Sequence, residues 1–347
     1  MTNPADPLEA GLSLSARQSR KQPLTERDGV TLREEVRSYS LNQDCKTWNG
    51  AIREWRHYIR SKRGVDHVYE NTETGEEAVS GSSPHRFAQE YADTQYAKLK
   101  DLERGVKERF GRTLHSSMLT LTGSSRPDGG DPLPPVDHLD QLLSSWESVS
   151  RDLRRTLDDY RSARLAILEP HPGEGPNNGY FHIHIAVFTD GKIAPEEFGS
   201  VLDKHVKHCD IAEPAQHTTD EIQVRHVGAS RDWKYNHALA EGLSWAPESI
   251  QNLAGYLAEY LGTSWDDPLD APEHVQAANA VLWATERQRW RPCQTAQQIM
   301  SLDQPEPSDD WELVAVEIDG DRREVNPDQG GVDRFETGYD PPDVPDD

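Results

Sequence analysis

Two histidines one residue apart in an apolar run, Tyr180-Phe181-His182-Ile183-His184-Ile185-Ala186-Val187-Phe188, form the segment best suited to chemistry. Its β-branched and aromatic content predicts a strand. Alternation then sends His182 and His184 to one face and Ile183, Ile185 and Val187 to the other. Same-face neighbours stand about 7 Å apart at the backbone, close enough for both rings to converge on one cation. Two structural histidines would leave the same pattern, so a third ligand has to separate the readings. Glu169 closes the preceding strand candidate, Arg164 to Glu169, and a loop rich in Pro and Gly joins the two strands into an antiparallel hairpin. With residue 167 opposite residue 184, Glu169 faces His182 and offers a carboxylate oxygen to the same ion; in any other register it is a loop residue. Two imidazoles and a carboxylate with open positions suit a divalent cation, Mn²⁺ or Mg²⁺, that also binds phosphate oxygen.

The second segment is Leu253-Ala254-Gly255-Tyr256-Leu257-Ala258-Glu259-Tyr260-Leu261. Tyr256 and Tyr260, at i and i+4, share one helix face, and Leu253, Leu257 and Leu261 form an adjoining stripe that buries against the sheet. A phenolate can attack a phosphodiester, keep the 5′ end as a phosphotyrosine and release a 3′ hydroxyl, and two such groups can alternate between opening and closing a strand. A tyrosine pair at this spacing is also common at a core edge, so the chemistry rests on the combination with the histidines.

Other clusters are weaker. His205, His208, Cys209 and His217 have a spacing that could hold zinc, although the adjacent His208 and Cys209 point apart on a helix. The run from Arg53 to Arg63, with Trp55 and Tyr58 interleaved, could track phosphates and stack bases, or be an amphipathic helix with a solvated face. GxxxxGK[ST], GxGxxG and HExxH are all absent, so neither a P-loop helicase, a dinucleotide site nor a zincin is encoded.

Apolar periodicity supplies the elements that must position these groups. Helices are predicted over 32–63, 87–110, 138–162, 195–207, 247–261 and 273–289, and strands over 114–122, 164–169, 180–189, 221–227 and 313–318. Residues 64–85 read as a linker, and the acidic final 25 residues carry no structural signal. The order of elements predicts an α+β fold with helices packed on an antiparallel sheet.

Of 347 residues, 37 are basic and 61 acidic, giving a formal net charge of -24. That balance argues against a polyanionic partner at ordinary salt. Only 10 of the basic residues are Lys, and an acidic, Lys-poor surface suits molar salt, where the Debye length shrinks to about 3 Å. A halophilic source is the simplest reading. Residues 1–112 carry 19 basic and 18 acidic side chains whereas 266–347 carry 6 and 21, so a polyanion is expected to meet the first third. Cys45, Cys209 and Cys293 are far apart and odd in number, which points to a reducing compartment. Without a signal-like start or a run of about 18 apolar residues, the chain is expected to be cytoplasmic, with no membrane contact.

Met118-Leu119-Thr120-Leu121-Thr122, the His182-Ile183-His184 strand and the Tyr256/Tyr260 segment follow one another as do the three motifs of HUH endonucleases. The sequence most resembles rolling-circle replication initiators (Rep) of haloarchaeal plasmids and small viruses, over about residues 85 to 265. The resemblance implies a five-stranded antiparallel sheet with the HUH strand central, His182 and His184 with Glu169 as a third candidate ligand to Mn²⁺ or Mg²⁺, and Tyr256 and Tyr260 as nucleophiles. It implies an N-terminal extension over 1–85, partly helical and DNA-contacting, a nuclease domain over 86–265, and an acidic C-terminal extension over 266–347. Single-stranded and origin duplex DNA would be substrates, with a host helicase and polymerase as partners. Relatives commonly carry Lys between or just after the tyrosines, where this chain has Glu259 and Thr263. A relaxase or transposase would share the chemistry. A non-catalytic DNA-binding regulator would have no need for both motifs, and a phosphoesterase acting on RNA ends would need a second His-bearing strand.

Overall fold

The computed structural model describes residues 11–27, 29–37, 46–80, 85–227, 253–255, 257, 267–301 and 310–325. The architecture is α+β, with two antiparallel sheets of five and four strands. The larger sheet is built from β3 (His115–Leu121), β4 (Ser162–Pro170), β5 (Phe181–Thr189), β6 (Gln223–His226) and β7 (Trp290–Pro292) in the order β6-β3-β5-β4-β7. The strand carrying His182 and His184 is therefore the middle one.

Helices cover both faces of this sheet. On one side Ile183, Ile185 and Val187 meet Leu139 and Leu142 of α4 (Pro135–Ser144), Val149 and Leu153 of α5 (Trp146–Thr156), and Val201 and Leu202 of α6 (Gly199–His208). On the other, Leu165, Ala186 and Phe188 meet Leu99, Leu102 and Val106 of α3 (Gln89–Phe110) and Ile299 of α8 (Gln294–Ser301). Side chains of alternate residues thus fill two separate cores, as period-two burial requires. The helix expected over 138–162 is two helices meeting at Ser145. Gly111, at φ +62°, closes α3 where the sequence places its stop.

The flanks depart more from expectation. Residues 64–85 contain a hairpin in place of a linker: β1 (Val65–Asn71) pairs with β2 (Glu77–Ser80), and Asn71 Oδ1 accepts the N–H groups of Glu73 and Thr74 in the turn. On its other edge β1 pairs with β8 (Trp311–Ile318), which pairs with β9 (Asp321–Glu324). The apolar content of β1 is too slight to announce a strand until a partner far along the chain buries Val65, Val68, Ala315 and Val316.

The basic run falls on α2 (Trp48–Ser61), whose N-terminus is capped by Thr47 Oγ1. Trp55 is fully buried against Phe87, and Tyr58 lies on Trp283, so Trp55 cannot stack on bases. Arg56 binds Glu273 and Gln276 of α7 (Glu273–Ala284), and Arg63 pairs with Asp267. The run is thus largely a helix–helix joint. Helix α7 ends at Ala284, five residues short of expectation, because Glu286 adopts φ +55° and turns the chain into β7. Among the described residues no helix is long and apolar enough to cross a membrane.

Candidate metal centre

Strands β4 and β5 pair with Glu169 opposite His182 and Ile167 opposite His184, the register the hairpin argument requires. The carboxylate and both rings consequently rise from one face. His182 Nε2 and His184 Nε2 are 3.0 Å apart, and Glu169 Oε2 lies 2.9 Å from the first and 2.6 Å from the second. Among the described residues no other group of three His, Cys, Asp or Glu brings its ligand atoms this close. Donors at about 2.1 Å from an octahedral ion stand about 3 Å apart on one face, so the spacing fits such an ion. The three side chains keep 25%, 12% and 11% of their exposure, which leaves the ligand atoms reachable by a substrate.

The candidate ligands are held from behind. β3 places Thr120 opposite His184, and Thr120 Oγ1 is 3.0 Å from His184 Nδ1. With an ion bound, a proton on Nδ1 donated to the hydroxyl would leave the Nε2 lone pair for the metal, the tautomer a ligand needs; without one, Nε2 can instead carry the proton toward Glu169. His171 packs edge-on against His182 at 4.2 Å and is itself held by Thr122 Oγ1 at 3.2 Å. Sequence reasoning assigned Thr120 to its strand without a role and passed over His171; counting along the β3–β5 register would have found the first.

Burial raises the Glu169 carboxyl, but hydrogen bonds from His182 and His184 outweigh it and hold it down at about 2. Burial also lowers His182, offset in part by Glu169, and takes His171 to about 3 with repulsion from His182 adding to the effect. His182 and His171 are therefore neutral near pH 7, the state a ligating or packing imidazole needs.

The zinc reading of the 205–217 cluster does not hold. His205 Nδ1 is 2.7 Å from Ser145 Oγ and its Nε2 donates to Thr122 O, while His217 Nε2 accepts from Thr122 N and its Nδ1 donates to Glu213 O. Both rings grip the backbone just beyond β3, and His208 points to solvent. They steady Thr122, and through it His171.

The β4–β5 loop is anchored by Arg20 at the end of α1 (Leu14–Arg20). Its guanidinium lies 4.1 Å over the Trp48 ring and donates to Asn178 O and Oδ1. Gly179 follows at φ +79°, and a Cβ there would sit 2.8 Å from Arg20 Nη2, so only glycine lets the loop close onto the arginine. Arg20→Ala should strand two buried acceptors and lose the cation–π contact, costing about 2 to 4 kcal/mol in urea unfolding and weakening Mn²⁺ binding in calorimetry. Arg20→Lys should recover little, lacking the fork. Wild-type stability and Mn²⁺ affinity in Arg20→Ala would show that the anchor is idle.

Tyr256 and Tyr260 lie outside the described residues. Their neighbours Leu253, Ala254 and Leu257 are fully buried in the cluster formed by Leu165, Ile167, Ala186 and Phe188, on the face that bears the three ligand groups. Leu261, the third position of the predicted stripe, also lies outside the described residues.

Residues 20–344 match the family model described as "Putative rep protein (DUF1424)". The chain is 37% identical over 329 residues to an "Uncharacterized 36 kDa protein" of Halobacterium salinarum, covering 92% of this chain and 99% of that protein. It is also 37% identical over 304 residues to a protein of the same description from Halobacterium sp. (strain GN101), covering 84% and 89%. Both relatives come from halophiles, in line with the acidic composition. No solved structure matches the chain.

Proposed function

The chain belongs to this family, described as "Putative rep protein (DUF1424)", and from that premise we propose that it initiates rolling-circle replication by nicking and rejoining single-stranded DNA at an origin through a tyrosine nucleophile. The observation that carries the reading is the convergence of Glu169, His182 and His184 on one point of the central strand. Leu253 and Leu257 support it, since both are buried on the same face.

In this reading the phenol of Tyr256 or Tyr260 gives up its proton and its oxygen forms a bond to the scissile phosphorus. The P–O3′ bond breaks, and the departing 3′ oxygen takes up a proton to become a free hydroxyl. A divalent ion on Glu169, His182 and His184, when bound, supplies positive charge to the phosphate oxygens. Thr120 orients His184, and His171 backs His182. Rejoining is the same step reversed, with a 3′ hydroxyl as the attacking group, and the second tyrosine allows a second cleavage before the first is undone. Strand opening falls to a host helicase or to supercoiling, since no P-loop is present in the sequence.

The test is incubation of the full-length chain with single-stranded oligonucleotides tiling the parent replicon's origin, in molar KCl with Mn²⁺ or Mg²⁺, followed by a denaturing gel. A covalent protein–DNA adduct that forms with the ion and disappears with chelator is expected. DNA binding with no adduct in any tile would make the protein a non-catalytic regulator.

A further inference from the structure

Strand β7 is an edge of the five-stranded sheet, and a groove of about 790 Å³ runs beside it between α3, α5 and α8. A smaller hollow of about 90 Å³ between α3 and α7 adjoins it, the two sharing Tyr91, Gln95, Gln288 and Trp290. Lys98, Arg164 and Arg291 line the groove, and Arg86, Arg287 and Arg289 line the hollow. Aromatic rings alternate with these cations: Tyr91, Trp146 and Trp290 in the groove and Phe87 in the hollow. In a chain with 61 acidic residues, no Asp or Glu is among the described residues lining either space.

Backbone and neutral groups contact three of these six cations. Arg86 donates to the carbonyls of Arg287 and Leu282, Arg289 to Asn279 Oδ1, and Arg164 to Ser150 Oγ. Arg287 lies 3.4 Å from Asp140, and Glu286 and Glu169 act electrostatically on Arg86 and Arg289. Burial, and for Arg86 and Arg289 the nearness of another arginine, pull their pKa down, Arg289 to about 10. The repulsion between Arg86 and Arg289, with no acidic side chain among the described lining residues, marks a place with an excess of positive charge. Trp290 pairs opposite Ile167, and Ile167 opposite His184, so the groove starts two strands from the metal ligands, about 10 Å away.

We propose that the β7 groove holds a stretch of single-stranded DNA next to the nicked phosphate, with bases stacked on Tyr91 and Trp290 and phosphates on Lys98 and Arg291. The proposal rests on the DNA-nicking reading above. A volume in the range of about 300 to 1,000 Å³ suits a compact ligand such as one or two nucleotides. Single strands are the form that offers unpaired base faces to aromatic rings, and a duplex would hide them. Molar salt adds a reason of its own. Screening cuts long-range attraction to a few ångströms and removes most of the gain from counterion release, so affinity has to come from stacking and close contact within a sheltered groove.

The experiment measures binding of fluorescein-labelled single-stranded DNA to the full-length chain by anisotropy, with chelator present, over a series of KCl concentrations. Lys98→Glu/Arg291→Glu is expected to weaken binding tenfold or more and to flatten the plot of log K against log salt by about 1. Tyr91→Ala should weaken binding about tenfold with an unchanged salt slope. In the wild type, oligonucleotides containing iodouracil should photocrosslink to peptides within 86–98 or 287–293, a readout that does not depend on how the variants fold. Variants that bind as wild type does, or crosslinks confined to other segments, overturn the groove and leave the nicking reading intact, because the adduct would still form. Failure of the wild type to bind any single strand removes both, and tighter binding of RNA of the same sequence overturns the assignment to DNA.

Discussion

Replacing Tyr256 and Tyr260 together by phenylalanine is expected to abolish the covalent adduct while affinities for Mn²⁺ and single-stranded DNA stay within about threefold of wild type. The substitution deletes two oxygens and leaves the rings, so only an interaction made by those oxygens can be lost. His182→Ala/His184→Ala should behave differently. It removes two of three neutral or anionic donors from one point, and Mn²⁺ affinity should fall by more than about 100-fold. Adduct formation should slow on the order of 10³-fold, as when charge stabilisation at a reacting phosphate is withdrawn. Thr120→Val tests the support separately: the ligands stay, the His184 tautomer is freed, and Mn²⁺ affinity should drop about 10- to 100-fold, with Thr120→Ser restoring it. Calorimetric Mn²⁺ titration and the denaturing gel read all three variants. A tyrosine double variant that still forms adduct, or a histidine double variant that keeps both Mn²⁺ affinity and adduct, would remove the assignment.

The convergence of Glu169, His182 and His184 was legible because its logic is local. Alternation along one strand sets the faces of His182 and His184, and a single hairpin register then places Glu169. The same arithmetic carried to β3 reaches Thr120. The groove was not legible, although Arg287-Gln288-Arg289-Trp290-Arg291 is a dense basic and aromatic run. Counting charge over the whole stretch 266–347 buried it under 21 acidic residues. It acquires a face only when Trp290–Pro292 pairs with β4 more than 120 residues earlier. The second sheet has the same difficulty, since β1 finds β8 across most of the chain. Opposite errors arose from residues whose type suggests chemistry. Trp55 and the 205–217 histidines look like a base-stacking platform and a zinc site, yet burial and backbone hydrogen bonds use them for packing. A side chain's chemistry shows what it can do, and its partners decide what it does.

Packed histidines, His171, His205 and the buried His138 of α4, are expected to make the protein acid-sensitive, with unfolding in chelator becoming spontaneous between about pH 5 and pH 4. Burial holds His138 at about 4, burial with the nearness of His217 holds His205 at about 4, and burial with repulsion from His182 holds His171 at about 3. In the unfolded chain each titrates near 6.5. Folded values lie below unfolded ones, so between them the unfolded state binds more protons, and stability falls as pH falls. The penalty is absent above about pH 6.5, grows below it, and levels off near the folded values. By pH 5 each histidine removes about 2 kcal/mol, and the three together remove on the order of 6 kcal/mol, comparable with the whole stability of an ordinary domain. Glu169 acts in the same direction lower down: its carboxyl, held at about 2, contributes stability that is complete above its unfolded value near 4.5 and is lost below it. Urea unfolding at successive pH values checks the slope, and His138→Gln, which keeps a donor for the Gly123 carbonyl, should lower it by about one proton. Molar KCl should change the slope little, because these rings are screened by burial and not by ions. Stability that stays flat from pH 6.5 to pH 5 would mean that the rings at 138, 171 and 205 take up protons without leaving their places.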